Sequence, residues 1–242
     1  RATDLSELGV GIADAGATPN YVLSQDPDYR TTYEAWRRLL KDERETDDLW
    51  GWQAQSWIDF CSLAVVLCLW RREDTALVAQ SPVVWFGAPD RGRWFRQANP
   101  LAVVWLRAAG LVFEVQSRPE RVSAEQFHAG APLWLRIGRT SGGQPTRVAV
   151  WPLHGFAQPD LAAVAGEAAE HLDMIARRLP GAKAIPHGLI LAQCFEKAQR
   201  ETVERGRVRV TAISLGAEGS ELAEGMRLLE LWIAEIDAEA SA

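Results

Sequence analysis

Lysine and methionine are scarce here: of 242 residues only 3 are Lys and 2 are Met. Cysteine is nearly as rare, and Cys61, Cys68 and Cys194 sit inside apolar or helical patterns without metal-type spacing. That excludes a disulfide scaffold and points to inert thiols in a reducing, cytoplasmic setting. No Gly-x-Ser-x-Gly elbow is present, and no cysteine stands in an exposed, electropositive context, so nucleophilic catalysis of the familiar kinds has no motif to rest on. Long hydrophobic runs are missing too. The apolar stretch from Cys61 to Trp70 is short, and extending it to Trp57 brings in Asp59. It therefore falls short of the ~20 residues that cross a bilayer, and no membrane partner is expected. No basic-then-apolar leader opens the chain, although Arg1 is not a natural start. Internal repeats and low-complexity linkers are also lacking.

What the sequence does hold is apolar mass, tryptophan and arginine. A hydrophobic share of 48% is ample for a packed core, and 11 tryptophans are many for this length. Arginine outnumbers lysine 23 to 3, a bias typical of bacterial-type base composition that by itself carries little functional weight. The distribution of charge says more than the total of −6. Residues 1–60 carry a net −6, residues 61–155 a net +5 and residues 156–242 a net −5. A basic middle between acidic ends fits internal pairing of a β-rich centre with acidic helices, or a basic face for an anionic partner.

The centre of the chain is organised around Leu133 to Pro152, where two period-two runs flank a Gly-Gly turn signal and predict a β-hairpin. Pairing Arg139 with Thr146 would set Ile137 against Val148 and Leu135 against Val150 on an aliphatic face. Trp134 would then meet Trp151, and Arg136 would meet Ala149, on the other face. In chain order, residues 1–27 read as an irregular arm. Asp28 to Arg44 reads as an amphipathic helix, and a second helix capped by Asp47 or Asp48 continues through Ile58. Ser62 to Trp70 is either a buried strand or an extension of that helix. Ala76 to Phe86 reads as a strand, Leu101 to Ala109 as a short helix closed by Gly110, and Leu111 to Gln116 as a strand. Ser123 to Phe127 is a helical turn with a Ser-x-x-Gln capping pattern. Beyond Gly155, helices are expected over Asp160 to Leu179, Leu189 to Glu204 and Ser220 to Ala238, with one strand over Arg207 to Leu215.

These elements predict an α+β fold: a mixed sheet of about five to six strands, including the hairpin 133–152, packed by N- and C-terminal helices. An arm over 1–27 precedes a single domain over 28–242, helical over 28–60, β-rich over 61–155, and helical with one strand over 156–242. The order strand, helix, strand, helical turn, hairpin over 77–152, with Ala131-Pro132 before the third strand, resembles the thioredoxin-type half of glutathione transferases. The resemblance implies a cis proline before that strand. It covers about a third of the chain and carries no active-site residue with it.

Among the motifs, the loop from Asp90 to Gln97 interleaves Arg91, Arg93 and Arg96 with Trp94 and Phe95. Guanidinium forks and aromatic faces suit a protein interface hot spot or a single-stranded nucleic acid. Trp134, Arg136, Arg147 and Trp151 on the hairpin would extend that face. Glu167 and His171 share a helical face, yet two ligands without a third make no metal site, and none is expected. His154 and His187 lie in loops where a general base could sit. Gly216 to Ser220 reads as helix capping, since Glu218 and Glu221 would occupy the field an anion needs. The function expected is a non-catalytic binding or assembly protein that docks an acidic protein partner through a Trp/Arg-rich central face, without a cofactor. The alternatives are a nucleic-acid-binding component of a larger complex, and a small enzyme of transferase or hydrolase type using a loop histidine.

Overall fold

A computed structural model describes residues 27–81, 100–117, 122–155, 159–179, 185–194, 196–216 and 219–241. Contacts divide the chain into Arg1–Trp50 and Gly51–Ala242. One helix, α1 (Pro27–Trp70), contributes Pro27–Trp50 to the first unit and Gly51–Trp70 to the second. The apolar stretch 61–70 is therefore helix rather than strand, and no break near Asp47 separates two helices. Once helical, Leu49–Trp70 is long and apolar enough to span a bilayer, but half of it is buried inside the protein.

The second unit is α+β. Eight strands form one mixed sheet in the order β1-β2-β3-β4-β5-β6-β8-β7. Strands β1 (Thr75–Gln80), β2 (Ala102–Leu106), β3 (Leu111–Ser117), β4 (Leu133–Arg139) and β5 (Thr146–Leu153) make an antiparallel meander. The helix α2 (Ala124–Ala129) lies between β3 and β4, and its expected capping box forms between Ser123 and Gln126. The helix α3 (Leu161–Arg178), capped by Asp160, then carries the chain to β6 (His187–Cys194), which pairs parallel to β5. Strands β7 (Arg200–Arg205) and β8 (Val208–Gly216) close the sheet, and α4 (Gly219–Ser241) ends it.

Three elements depart from expectation. Leu101 to Ala109 holds β2, not a helix, because Ala102, Val104 and Leu106 alternate with Val103 and Trp105 and pair along β3. Gly110, at φ +63°, serves the β2–β3 turn; a left-handed glycine ends helices and turns hairpins alike, so it does not choose between them. Leu189 to Glu204 holds β6 and β7. Strand β6 is buried on both faces, with Leu189 and Leu191 in one cluster and Ile190 and Ala192 in the other, so its apolar run lacks strand alternation. With β2 a strand, residues 75–153 form a meander rather than the thioredoxin-type order.

The hairpin forms with the predicted faces but a different register: Leu135 pairs with Val148, Leu133 with Val150, Trp134 with Ala149 and Arg136 with Arg147. The two-residue slip keeps every side chain on its side. Ile137 pairs with Thr146, leaving a longer turn in which Gly142 and Gly143 take positive φ.

The sheet has a core on each face. Leu133, Leu135, Ile137, Val148 and Val150 join the larger core beneath α1 and α4. Trp57 ties α1 to the sheet by donating its indole N–H to the Leu191 carbonyl at 3.1 Å. Helix α4 lies close on β8, where a Cβ at Gly225 would come within 2.7 Å of the Ser214 carbonyl oxygen. The second core packs α3, through Leu161, Ala165, Ala169, Leu172 and Ile175, on the β5–β8 side.

Candidate binding face

The second sheet face divides in two. Helix α3 covers the part built on β5 to β8, whereas the residues of β2 and β3 on this face, Val103, Trp105 and Val112, belong to no core cluster. Cross-strand register places Val103, Glu114, Arg136 and Arg147 in one row, and Trp105, Val112 and Gly138 in the next. Strand pairing alone therefore assembles a surface of apolar and arginine side chains. Trp105 is 39% exposed, and the Arg107 guanidinium stands over its ring at 5.9 Å from the centroid. Such a cation–π contact contributes about 0.5–1 kcal/mol at an exposed site, enough to orient both groups. Arg136 is ion-paired with Glu114, whose other oxygen accepts from Gln116 at 3.2 Å. Arg147, half-buried, has no ion-pair partner among the described residues. Three arginines, Arg107, Arg136 and Arg147, against one carboxylate, Glu114, leave this face positive.

Of the residues proposed from sequence, Arg91, Arg93, Trp94, Phe95 and Arg96 lie outside the described residues. Arg136 and Arg147 are cross-strand neighbours on this face. Trp134 is not available to a partner: it is 1% exposed, packs in the core beneath α3, and donates its N–H to the Ala131 carbonyl at 2.9 Å. Trp151 is half-buried, with its N–H on the Ala129 carbonyl at 3.1 Å. The α2 end thus satisfies both indoles, and the aromatic pair expected on the hairpin serves packing. Sequence reasoning missed Trp105 and Arg107, since both fell in the presumed helix 101–109. The alternation Ala102, Val104, Leu106 against Val103, Trp105, Arg107 was the signal that would have found them.

Two arginines of the basic middle, Arg71 and Arg72, meet acidic residues of α4, and further pairs form within residues 156–242. Asp237 on α4 takes Arg72 at 2.5 Å, Glu230 lies 4.0 Å from Arg71, and Glu235 is paired with Arg200. Arg139 donates to the Ala240 carbonyl at 2.8 Å. Glu239 holds Arg209 and also approaches His187 Nε2 at 3.5 Å.

His187 opens strand β6 rather than lying in a loop. His154 is half-buried at the end of β5. An open concavity on α3, of about 510 Å³, is lined by residues between Glu167 and Arg178 and includes neither His154 nor His187. Its His171 is held to the His128 carbonyl at 2.9 Å, and its Asp173 to Arg177 at 2.5 Å. Among the described residues no group of three His, Cys, Asp or Glu is placed to hold a metal. Cys61 and Cys68 are buried and free, and burial, helped by Glu230, pushes the Cys68 thiol up to about 12.

His187 supplies a pH signature. Burial holds its pKa below 6.5; Glu239 opposes that shift and Arg209 adds to it. The unfolded chain therefore binds a proton that the native chain refuses. His187's contribution is present above about pH 6.5 and is lost as pH falls below it. The stability difference between wild type and His187→Gln, from urea unfolding at pH 7 and pH 5, is expected to shift against wild type at pH 5. An unchanged difference would remove His187 from the acid response.

Comparison with family models, curated proteins and solved structures returns no match.

Proposed function

We propose that this chain is a non-catalytic binding or assembly protein that docks an acidic protein partner through the tryptophan- and arginine-bearing face of β2 to β5. The observation that carries the reading is the exposed Trp105 under the Arg107 guanidinium, on the sheet face that three strands away also carries Arg147, which has no ion-pair partner among the described residues. An exposed indole with positive neighbours is the composition of an interface hot spot: apolar area at little entropic cost, ringed by groups that fork onto carboxylates. At net charge −6 the chain as a whole repels any polyanion, so binding of an acidic protein or of a nucleic acid alike depends on this local positive face.

The test uses the intact chain as bait at physiological salt, with Trp105→Ala and the pair Arg107→Glu/Arg147→Glu alongside. The specific partner should have an acidic surface. Trp105→Ala should weaken its affinity by about 30-fold or more, as loss of a hot-spot anchor does. The charge-reversed pair should slow association, most visibly at low salt. Equal binding by all three proteins would move the site elsewhere, and Arg91, Arg93 and Arg96, in the connection between β1 and β2, would be reversed next. Binding that nuclease abolishes and that falls steeply with salt would replace the protein partner with nucleic acid.

A further inference from the structure

Glycine inside a strand weakens it by about 0.5–1 kcal/mol relative to alanine, so Gly138 in the middle of the β3–β4–β5 pairing needs a physical reason. The fold supplies none. Strand β4 pairs on both sides without a bulge, and the φ of Gly138 is not positive. A Cβ built on it would meet nothing within 4 Å among the described residues, whereas at Gly188, Gly216 and Gly225 it would meet atoms at 2.9, 2.6 and 2.7 Å. Gly138 pairs with Val112 and Val112 with Trp105, so the gap opens on the uncovered side of the sheet, about 10 Å from Trp105 at normal strand spacing. In the next row Arg136 stands directly opposite Arg147, and like charges so placed oppose each other. Glu114 compensates Arg136. Arg147 is left half-buried, with no ion-pair partner among the described residues.

We infer that Gly138 is the floor of a carboxylate subsite: an Asp or Glu side chain of the docked partner lies over the bare backbone and sets its carboxylate on the Arg147 guanidinium. The subsite rests on the reading that this face docks an acidic partner, and it says which group of that partner is recognised. Two independent features converge here, missing bulk that the fold does not require and a missing counter-charge. A carboxylate supplies both, because its two oxygens match the guanidinium fork and its single charge relieves the opposition of Arg136 and Arg147. A phosphate dianion would double the repulsion from Glu114, which lies only two strands, about 10 Å, from Arg147. Nucleic acid draws its affinity from several phosphate contacts at once. Among the described residues this face offers two arginines without a carboxylate partner, Arg107 and Arg147. Register also sets the spacing on the partner. Arg147 lies three strands and one row from Trp105, about 16 Å between Cα atoms, so anchor and carboxylate stand about five residues apart on an extended segment or about eleven on a helix.

Fluorescence anisotropy of a labelled hexaglutamate peptide titrated with the intact chain at low salt tests this. Wild type should bind it saturably, and Gly138→Val and Arg147→Gln should each weaken binding by about tenfold or more. Gly138→Val should do so with a thermal midpoint at or above that of wild type, since a β-branched residue suits a strand. Arg177→Gln on α3 should bind as wild type does, and so should Trp105→Ala, which removes the apolar anchor and not the carboxylate site. The peptide needs no partner protein, so the two readings fail separately. Peptide binding that ignores Gly138 and Arg147 overturns the subsite and leaves the partner face to its own test, whereas a partner indifferent to Trp105 removes that face and leaves the subsite standing. A wild type that does not bind the peptide also overturns the inference. So does a Gly138→Val midpoint lowered by more than about 4 °C, because the glycine would then serve the fold. Tighter binding of a labelled hexathymidylate than of hexaglutamate would replace the carboxylate with phosphate.

Discussion

Trp134→Ala is expected to destabilise the chain by about 3–5 kcal/mol, a large part of what a domain of this kind possesses. The indole is 1% exposed between β4 and α3, with Ala149, Ala165 and Ala169 among the small residues of its cluster. Removing it opens a cavity that a β-sheet and a docked helix cannot collapse into, and leaves the Ala131 carbonyl without its donor. Urea unfolding measures the loss as a lower midpoint at an unchanged slope. Trp134→Phe should recover most of it, since the ring volume returns and only the N–H is missing. A Trp134→Ala protein with a wild-type midpoint and weakened partner binding would instead make Trp134 a contact residue.

The second large effect is expected at Arg72 and Asp237, which join the turn after α1 to the C-terminal part of α4 at 2.5 Å. Their side chains are only 26% and 14% exposed, and Asp237 Oδ1 and one Arg72 nitrogen are buried without a further partner. Arg72→Met or Asp237→Leu alone should each cost about 2–3 kcal/mol, because each leaves the other charge enclosed and unpaired. The double variant should regain most of that loss, since an apolar pair has no charge to desolvate. Thermal or urea unfolding of all four proteins forms the cycle, and a coupling energy near zero would show that solvent already screens the pair. The exposed pair Arg227 and Glu224, on one helix face at 2.6 Å, makes a suitable control for which little coupling is expected.

How far the fold could be read from sequence varies with the type of burial. Helices α2, α3 and α4 and strand β3 were legible, since each has one buried side and a cap or turn residue at its end, and β8, though buried on both faces, was legible because Arg207, Arg209 and Thr211 alternate with Val208, Val210 and Ala212. Strand β6 was not, because burial on both faces erases the period that separates strand from helix. The same loss of pattern left Ser62 to Trp70 ambiguous until it proved to be the end of α1. Strand β2 failed for another reason: Asn99, Pro100 and Gly110 imitate helix start and stop signals, and five residues of alternation are too few to outweigh them. With β2 misread, Trp105 and Arg107 could not be placed on a sheet face, and the hairpin tryptophans took their role.

Composition, apolar periodicity and the split of charge along the chain determined, without coordinates, an α+β body, the two faces of the hairpin and a basic middle set against acidic ends. Those properties are local or additive, so they survive in one dimension. Only the tertiary structure decided which arginines face α4 and which face outward, and that Trp134 lies under a helix while Trp105 does not. Strand order and helix docking join residues far apart in sequence, and burial depends on what is packed above a side chain rather than on its neighbours along the chain.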